Sequence, residues 1–320
     1  MNLSGDMTLD ATGMKDTFSR ILCELAENDT RVVYLDSDLS MAAGVKNTFA
    51  SKHPGRFIDC GIQEANMAGV ACGLSSSGMI PFIHSFASFI SRKCTDQIFL
   101  SGCFAKQNVK IIGSDPGITA EQNGATHAGC EDIGIFRNFP GINILDPCDA
   151  VSFEAALKLA KETYGMFYVR YIRKPVKKIY AKTQKFEVGK GNILRDGGDI
   201  TIIASGIMVA EALEAAKILE AESIHARVVD MFTIKPLDTE LVIKCAKETG
   251  AIVTAENHNL LTGLGSAVAL ACSMNYPVPI GMVGINDQFG QVGNLAYQMK
   301  FYGLTAPDIV EKTRETKGKR

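Results

Sequence analysis

Several features are missing from this sequence, and each absence removes a class of function. The nine cysteines (Cys23, Cys60, Cys72, Cys94, Cys103, Cys130, Cys148, Cys245 and Cys272) include no C-x-x-C pair. Most lie in apolar surroundings, so they read as reduced core thiols of a cytoplasmic protein, not as disulfides or a zinc site. Neither sign of charge dominates: 33 Lys and Arg stand against 35 Asp and Glu, for a net charge of -2. That balance leaves no electrostatic footprint for a nucleic acid or a membrane surface. No uninterrupted apolar run approaches membrane-spanning length, and the opening MNLSGDMTLDATGMKD has no basic segment leading into an apolar one. The expectation is a soluble, intracellular protein.

What is present fits a core-forming chain. The 320 residues are 46% hydrophobic and 21% charged, enough for two domains of ordinary size. Residues 1 to about 12 are polar and read as a loose arm. The spacing of Met14, Phe18, Ile21, Leu22 and Leu25 predicts a helix, and Val32 to Leu35 a buried strand that empties into Asp36-Ser37-Asp38-Leu39. Acidic and hydroxyl residues just past the end of a parallel strand lie where open α/β sheets bind ligands. The same helix, strand and loop order recurs along the chain, with a helix predicted from Asp96 to about Lys106 and strands at 109–113, 142–145, 167–171, 200–204, 226–231 and 251–255. This alternation predicts an α/β fold of two doubly wound domains, residues 10–176 and 191–314, joined by a lysine-rich linker at 177–190.

One stretch carries most of the chemistry, RFIDCGIQEANMAGVACGLSSSGMIPFIHSFASFISRKCTD, residues 56–96. A short strand and Gly61 lead into a small apolar helix with Glu64 in its first turn, where the helix dipole favours an anion. The next strand delivers Phe86 and Phe89, two rings three residues apart. Taken singly, Glu64 is a dipole complement and the phenylalanines are core. Taken together they suit a flat heteroaromatic ring that is stacked and held at one nitrogen. Farther along, a long glycine-bearing loop, residues 114–132, carries acids and His127; long polar loops in compact domains are often functional. Taken alone, His127 is a solvated loop residue, and Arg170 and Arg173 are strand-end arginines open to a phosphate, a carboxylate or a nearby acid.

The segments GIQEANMAGVACGL and SFASFISRKCTDQI resemble the pyrimidine-binding domain of transketolases and their thiamine-diphosphate relatives. VVDMFTIKPLD, TAENH, GLGSAV and the ending FGQVGNLAYQMKFYGLTAPDIVEK resemble the transketolase C-terminal domain. The resemblance covers about residues 14 to 313, in domain order as well as motif. It implies that Glu64 hydrogen-bonds N1′ of the aminopyrimidine and so activates the cofactor. A dry site would raise the affinity of that carboxylate for a proton. It further implies that Phe86 and Phe89, with Ile62 or Arg92 nearby, bed the pyrimidine, and that Asp38 and Leu39 approach the thiazolium. His127, in G-x-T-H-x-x-x-E-D, contacts substrate hydroxyls. Arg173, with Lys93, holds the acidic end of a sugar phosphate. His258 is expected to be structural.

The resemblance also exposes a gap. The family binds the diphosphate and Mg²⁺ through GDG followed later by NN, and neither motif occurs here; Asp196-Gly197-Gly198-Asp199 reads as a turn. No metal ligand is therefore assigned to this chain. The expectation is the C-terminal half of a split transketolase, completed by an N-terminal subunit carrying GDG and NN in an α2β2 heterotetramer, and moving a two-carbon ketol unit from a ketose (phosphate) to an aldose (phosphate). Three positions depart from the family pattern: Asp115 stands where a phosphate-binding histidine is usual, twelve residues before His127; Ala42 where a serine is; and Lys15 where an arginine is. An aspartate repels a phosphate dianion, which puts the substrate's charged end in question. The β subunit of a 2-oxoacid dehydrogenase, half of a deoxyxylulose phosphate synthase and a non-catalytic partner subunit are the rival readings.

Overall fold

The computed structural model describes residues 3–5 and 7–320. Twelve strands are present among them: β1 (Val32–Asp36), β2 (Phe57–Asp59), β3 (Ile80–Phe86), β4 (Lys110–Ser114), β5 (Asn143–Leu145), β6 (Phe167–Tyr171), β7 (Asn192–Arg195), β8 (Ile200–Ala204), β9 (Ala226–Asp230), β10 (Thr233–Lys235), β11 (Ile252–Asn259) and β12 (Ile280–Ile285). They form two α/β domains with mostly parallel sheets. The first sheet runs β10-β5-β6-β4-β3-β1-β2 and the second β12-β11-β8-β9-β7.

The strands read as continuous apolar runs because both faces of each sheet are covered. In β1, Val33 and Leu35 enter one hydrophobic cluster, while Val32 and Tyr34 enter another on the opposite face with Phe18, Phe153 and Phe167. Helix Gly13–Asn28 closes that second face together with helix Ala150–Glu162, and helix Glu64–Ser76 lies on the first. The first cluster continues into the C-terminal domain through Ile203, Val229 and Ile252, so one apolar core spans the domain boundary.

Four local expectations differ from the structure. The arm is not loose. Leu3 and Leu9 form antiparallel bridges to Tyr180 and Lys177, and the backbone N–H groups of Ser4 and Asp10 donate to Ile179 and Val176 carbonyls. Residues 1, 2 and 6 of the arm lie outside the described residues. The chain after Arg173 is likewise fixed: Ile179 and Tyr180 are buried, and their backbone N–H groups donate to Asp149 Oδ2 at 3.0 and 2.8 Å. Pairing with the arm satisfies backbone groups that a free linker would leave to water. The helix expected over 96–106 begins as Thr95–Gln97 and continues as a π-helix, Ile98–Phe104. Finally, Thr233–Lys235, not among the expected strands, is β10, which pairs antiparallel with β5 and so completes the first sheet with a strand from the C-terminal domain.

A buried ionic network locks the domains together. Arg170, on β6 and 1% exposed, donates from Nε to Asp132 Oδ2, from Nη1 to Asp146 Oδ2 (both 2.9 Å) and from Nη2 to the Asn257 carbonyl at 3.0 Å. Tyr168 Oη also donates to Asp132, and Ser205 Oγ to Asp146. Arg170 is thus committed to a structural role, and so is His258, which is fully buried and accepts the Gly134 N–H. Burial drives the His258 pKa down to about 4 and raises Glu256 to about 7. Glu256 accepts the first N–H groups of helix Leu264–Asn275, at 2.6 Å from Leu264 and 2.7 Å from Gly265, which is where the helix dipole favours a carboxylate.

Candidate active site

The residues singled out in the sequence lie at the C-terminal ends of the parallel strands. Because the sheet runs β6-β4-β3-β1-β2, Arg173, Asp115, Phe86, Asp38 and the Glu64 turn follow one another along a single edge. This is the edge on which open α/β sheets bind ligands.

Glu64 opens its helix and is only 4% exposed. The turn that delivers it needs Gly61 at φ +69°, a conformation glycine adopts without strain. Asp59 ties that turn to the neighbouring one, accepting N–H groups from Gly61 at 2.9 Å and Asp38 at 3.2 Å. Asp38 itself sits in the left-handed region at φ +62° and is exposed, with Leu39 half-buried beside it. The bend is braced from below by Asp36, a fully buried carboxylate that accepts from Tyr34 Oη and the Leu39 N–H and lies 3.5 Å from His84 Nδ1. Sequence reasoning set Asp36 among the strand-end acids without giving it this bracing role, and passed over His84. The available signal was a histidine inside an otherwise apolar strand, IPFIHSF, beside an aspartate closing another.

Phe86 ends β3 and Phe89 lies one turn into helix Ala87–Lys93. Their rings meet edge to face at 5.7 Å, and His127 packs edgewise on both, at 5.3 Å from Phe86 and 4.8 Å from Phe89. The structure therefore brings the phenylalanine pair and the loop histidine into one cluster. The 114–132 loop reaches them because it is pinned at both ends. The Gly117 N–H donates to the Gly129 carbonyl, and Asn257 accepts from the Ile118 N–H and donates to the Pro116 carbonyl. At Gly129 the loop presses on the start of the Phe89 helix so closely that a Cβ would lie 2.8 Å from the Ser88 nitrogen. Burial, with Arg173 and Arg92 nearby, holds the His127 pKa below its ordinary value, so its imidazole is neutral at pH 7.

The cations around the site play different parts, and two depart from expectation. Lys93, expected with Arg173 at the acidic end of the substrate, instead grips Glu64 with its ammonium, at 3.0 and 3.2 Å from the two oxygens, and also lies over the Phe89 ring at 4.6 Å. Arg92, expected beside the pyrimidine, instead holds the His127 loop, donating to Glu131 and to the Thr126 and Ala128 carbonyls at 3.0 and 2.9 Å. Arg173 stacks over Phe86 at 4.7 Å, and Asp115 occupies its fork. Lys174 pairs with Glu121. Ile62 is 68% exposed, an aliphatic side chain left in solvent at the mouth beside Glu64.

This arrangement fits the organic half of a thiamine cofactor. A nearly dry carboxylate lies beside an aromatic cluster, and the group covering it is a half-exposed lysine that can swing away. Among the described residues, no group of three or more His, Cys, Asp or Glu side chains is placed to hold a metal ion, and no helix is long and apolar enough to cross a membrane.

Comparison with known proteins agrees with the geometry. The family model for the transketolase pyrimidine-binding domain matches residues 10–178, and that for the transketolase C-terminal domain matches residues 189–309. The 6-deoxy-6-sulfo-D-fructose transketolase subunit SqwH of Clostridium sp. is 47% identical over 98% of both chains. An apulose-4-phosphate transketolase subunit of Phocaeicola vulgatus is 37% identical over 94% of this chain and 96% of its own. The solved structure of a split-gene transketolase, in the form of an inactive β4 tetramer, superposes with a TM-score of 0.90 at 42% identity, covering 96% of this chain and 99% of that one. By contrast, the chain spans only 48% of the human transketolase-like protein 2, to which it is 33% identical. The chain therefore belongs to the transketolase family and consists of its pyrimidine-binding and C-terminal domains.

Proposed function

We propose that this chain is the cofactor-activating half of a split transketolase, which moves a two-carbon ketol unit from a ketose to an aldose. The observation that carries this reading is Glu64, nearly buried at a helix start beside the Phe86, Phe89 and His127 cluster. When bound, thiamine diphosphate supplies the nucleophilic carbon for such transfers. Glu64 would hold a proton against N1′ of its pyrimidine, once Lys93 releases the carboxylate. Phe86 and Phe89 would exclude water there, with Ile62, Asp38 and Leu39 lining the approach from the neighbouring turns. The neutral His127 would hydrogen-bond a substrate hydroxyl or carbonyl oxygen, and Arg173 with Asp115 would meet the distal end of the sugar.

The diphosphate and Mg²⁺ would be bound by a separate N-terminal subunit, with the cofactor between the two chains in an α2β2 assembly. Relatives of half-enzyme size that match along their whole length support this, as does the inactivity ascribed to the split-gene β4 tetramer. Ile62, exposed at the mouth, would be covered by the partner. The two relatives are named for a sulfonated ketose and a ketose phosphate, so the sugar is expected to carry an acidic distal group.

Reconstitution tests the reading. The chain alone, supplied with thiamine diphosphate, Mg²⁺, a ketose donor and an aldose, should show no transfer. Adding the N-terminal subunit should produce ketol transfer. Release of CO2 from a 2-oxoacid by the mixture would instead place the chain with the dehydrogenase β subunits, and full activity of the isolated chain would refute the shared site.

A further inference from the structure

We infer that Asp115 sets the charge that the substrate's distal end must carry, selecting a singly charged group such as a sulfonate over a phosphate dianion. The inference rests on the ketol-transfer reading of the site and adds a substrate class to it. Asp115 is 3% exposed and held in the left-handed region at φ +50°, where its side chain faces Arg173. Its Oδ1 accepts the Arg173 backbone N–H at 3.0 Å, and its Oδ2 accepts Nε at 2.6 Å and lies 2.5 Å from Nη2. The guanidinium is pinned between this carboxylate and the face of Phe86. Its Nη1 makes no hydrogen bond among the described residues, which leaves one donor edge for a ligand oxygen.

The charge balance of the surroundings makes this decisive. Arg92, Arg173 and Lys174 are matched by Glu131, Asp115 and Glu121 respectively, Lys93 lies on the Glu64 side of the cluster over Phe89, and His127 is held neutral by burial and its arginine neighbours. An incoming anion thus meets paired charges instead of a cationic pocket. The desolvation cost of an ion grows with the square of its charge, so a dianion costs about four times as much to dehydrate as a monoanion of similar size. A paired arginine returns little of that cost, because the attraction of the guanidinium is opposed by the carboxylate beside it. A sulfonate keeps a single charge at all working pH values and can still take the Nη1 edge. Asp115 does not need to touch the substrate; it acts by orienting and neutralising Arg173.

The test uses the complex of this chain with its N-terminal subunit and three aldoses that differ only in the distal group: hydroxyl, phosphate ester and sulfonate. The native complex should prefer the sulfonate over the phosphate by at least tenfold in kcat/KM, mainly through KM. Asp115→Asn, which keeps the shape and removes the charge, should move that ratio toward the phosphate by about tenfold. In the native complex, the phosphate-to-sulfonate ratio should also rise as pH falls through the second phosphate ionisation near 6. The protein groups around Asp115 and Arg173 (Tyr171, His127 and the Lys174–Glu121 pair) are the same for both ligands, so the ratio isolates the charge of the distal group. A native preference for the phosphate, or a ratio unchanged by Asp115→Asn, would overturn the inference. If no aldose is turned over, the ketol-transfer reading fails by itself. Calorimetric binding of the same three compounds to the complex then decides the inference: tighter binding of the sulfonate supports it, and tighter binding of the phosphate overturns it.

Discussion

Replacing Glu64 with glutamine is expected to lower ketol transfer by the reconstituted complex by about 10²–10⁴-fold, the usual contribution of a positioned proton-transfer group. The amide keeps the size of the carboxylate and fits the same helix start, but it cannot share a proton at N1′. The fold should be nearly indifferent to the change. The partner of Glu64 is Lys93, whose side chain is 48% exposed, and pairs with one member in solvent contribute at most about 1 kcal/mol. Assembly with the N-terminal subunit, followed by gel filtration, should therefore match the native chain while turnover collapses. Turnover within a factor of about three of native would remove Glu64 from the chemistry and leave it as a complement to the helix dipole.

The largest effect on stability is expected at Arg170. Replacement by methionine fills most of the volume but leaves Asp132 and Asp146 buried at the domain boundary without their cation. Breaking a buried ion pair in this way typically costs about 3–5 kcal/mol. Burial already raises the Asp146 pKa despite the arginine beside it. Without that arginine the carboxylates must take up protons or drag in water. Arg170→Lys should recover only part of the loss, because one ammonium cannot reproduce contacts made from Nε, Nη1 and Nη2 to three different acceptors. Urea midpoints for the three proteins measure this directly, and a loss below about 1 kcal/mol for Arg170→Met would show that the network is not what joins the domains. Asp132 also closes the loop that carries His127, so the same variant should weaken substrate binding.

The fold was legible in this sequence where burial dictates pattern. Strands covered on both faces, such as Val32–Asp36 and Lys110–Ser114, appear as apolar runs, and each ends in the polar or glycine residues that turn the chain. The grouping of Phe86, Phe89 and His127 followed from motif order, because strand ends and the loops after them share one edge of the sheet. What was not legible is which charge meets which. Arg173 and Asp115 are 58 residues apart and Lys93 and Glu64 are 29 apart. Their pairing depends on β6 lying next to β4 and on the pitch of a short helix. The reassignment of Arg92 to the His127 loop is of the same kind. The pairing of β10 with β5 and of the arm with the segment around Tyr180 was hidden for a related reason. Such contacts are made by backbone N–H and C=O groups, which every sequence carries and none displays.

Everything proposed for the site depends on this chain supplying one wall of a cofactor pocket and a second subunit supplying the other. Isothermal titration of thiamine diphosphate, with Mg²⁺ present, into this chain, into the N-terminal subunit and into their mixture tests that division most directly. Tight binding is expected in the mixture alone, with one cofactor per pair of chains, and much weaker binding of the same stoichiometry when the chain carries Glu64→Ala. Tight binding by this chain alone, or none by the mixture, would contradict it.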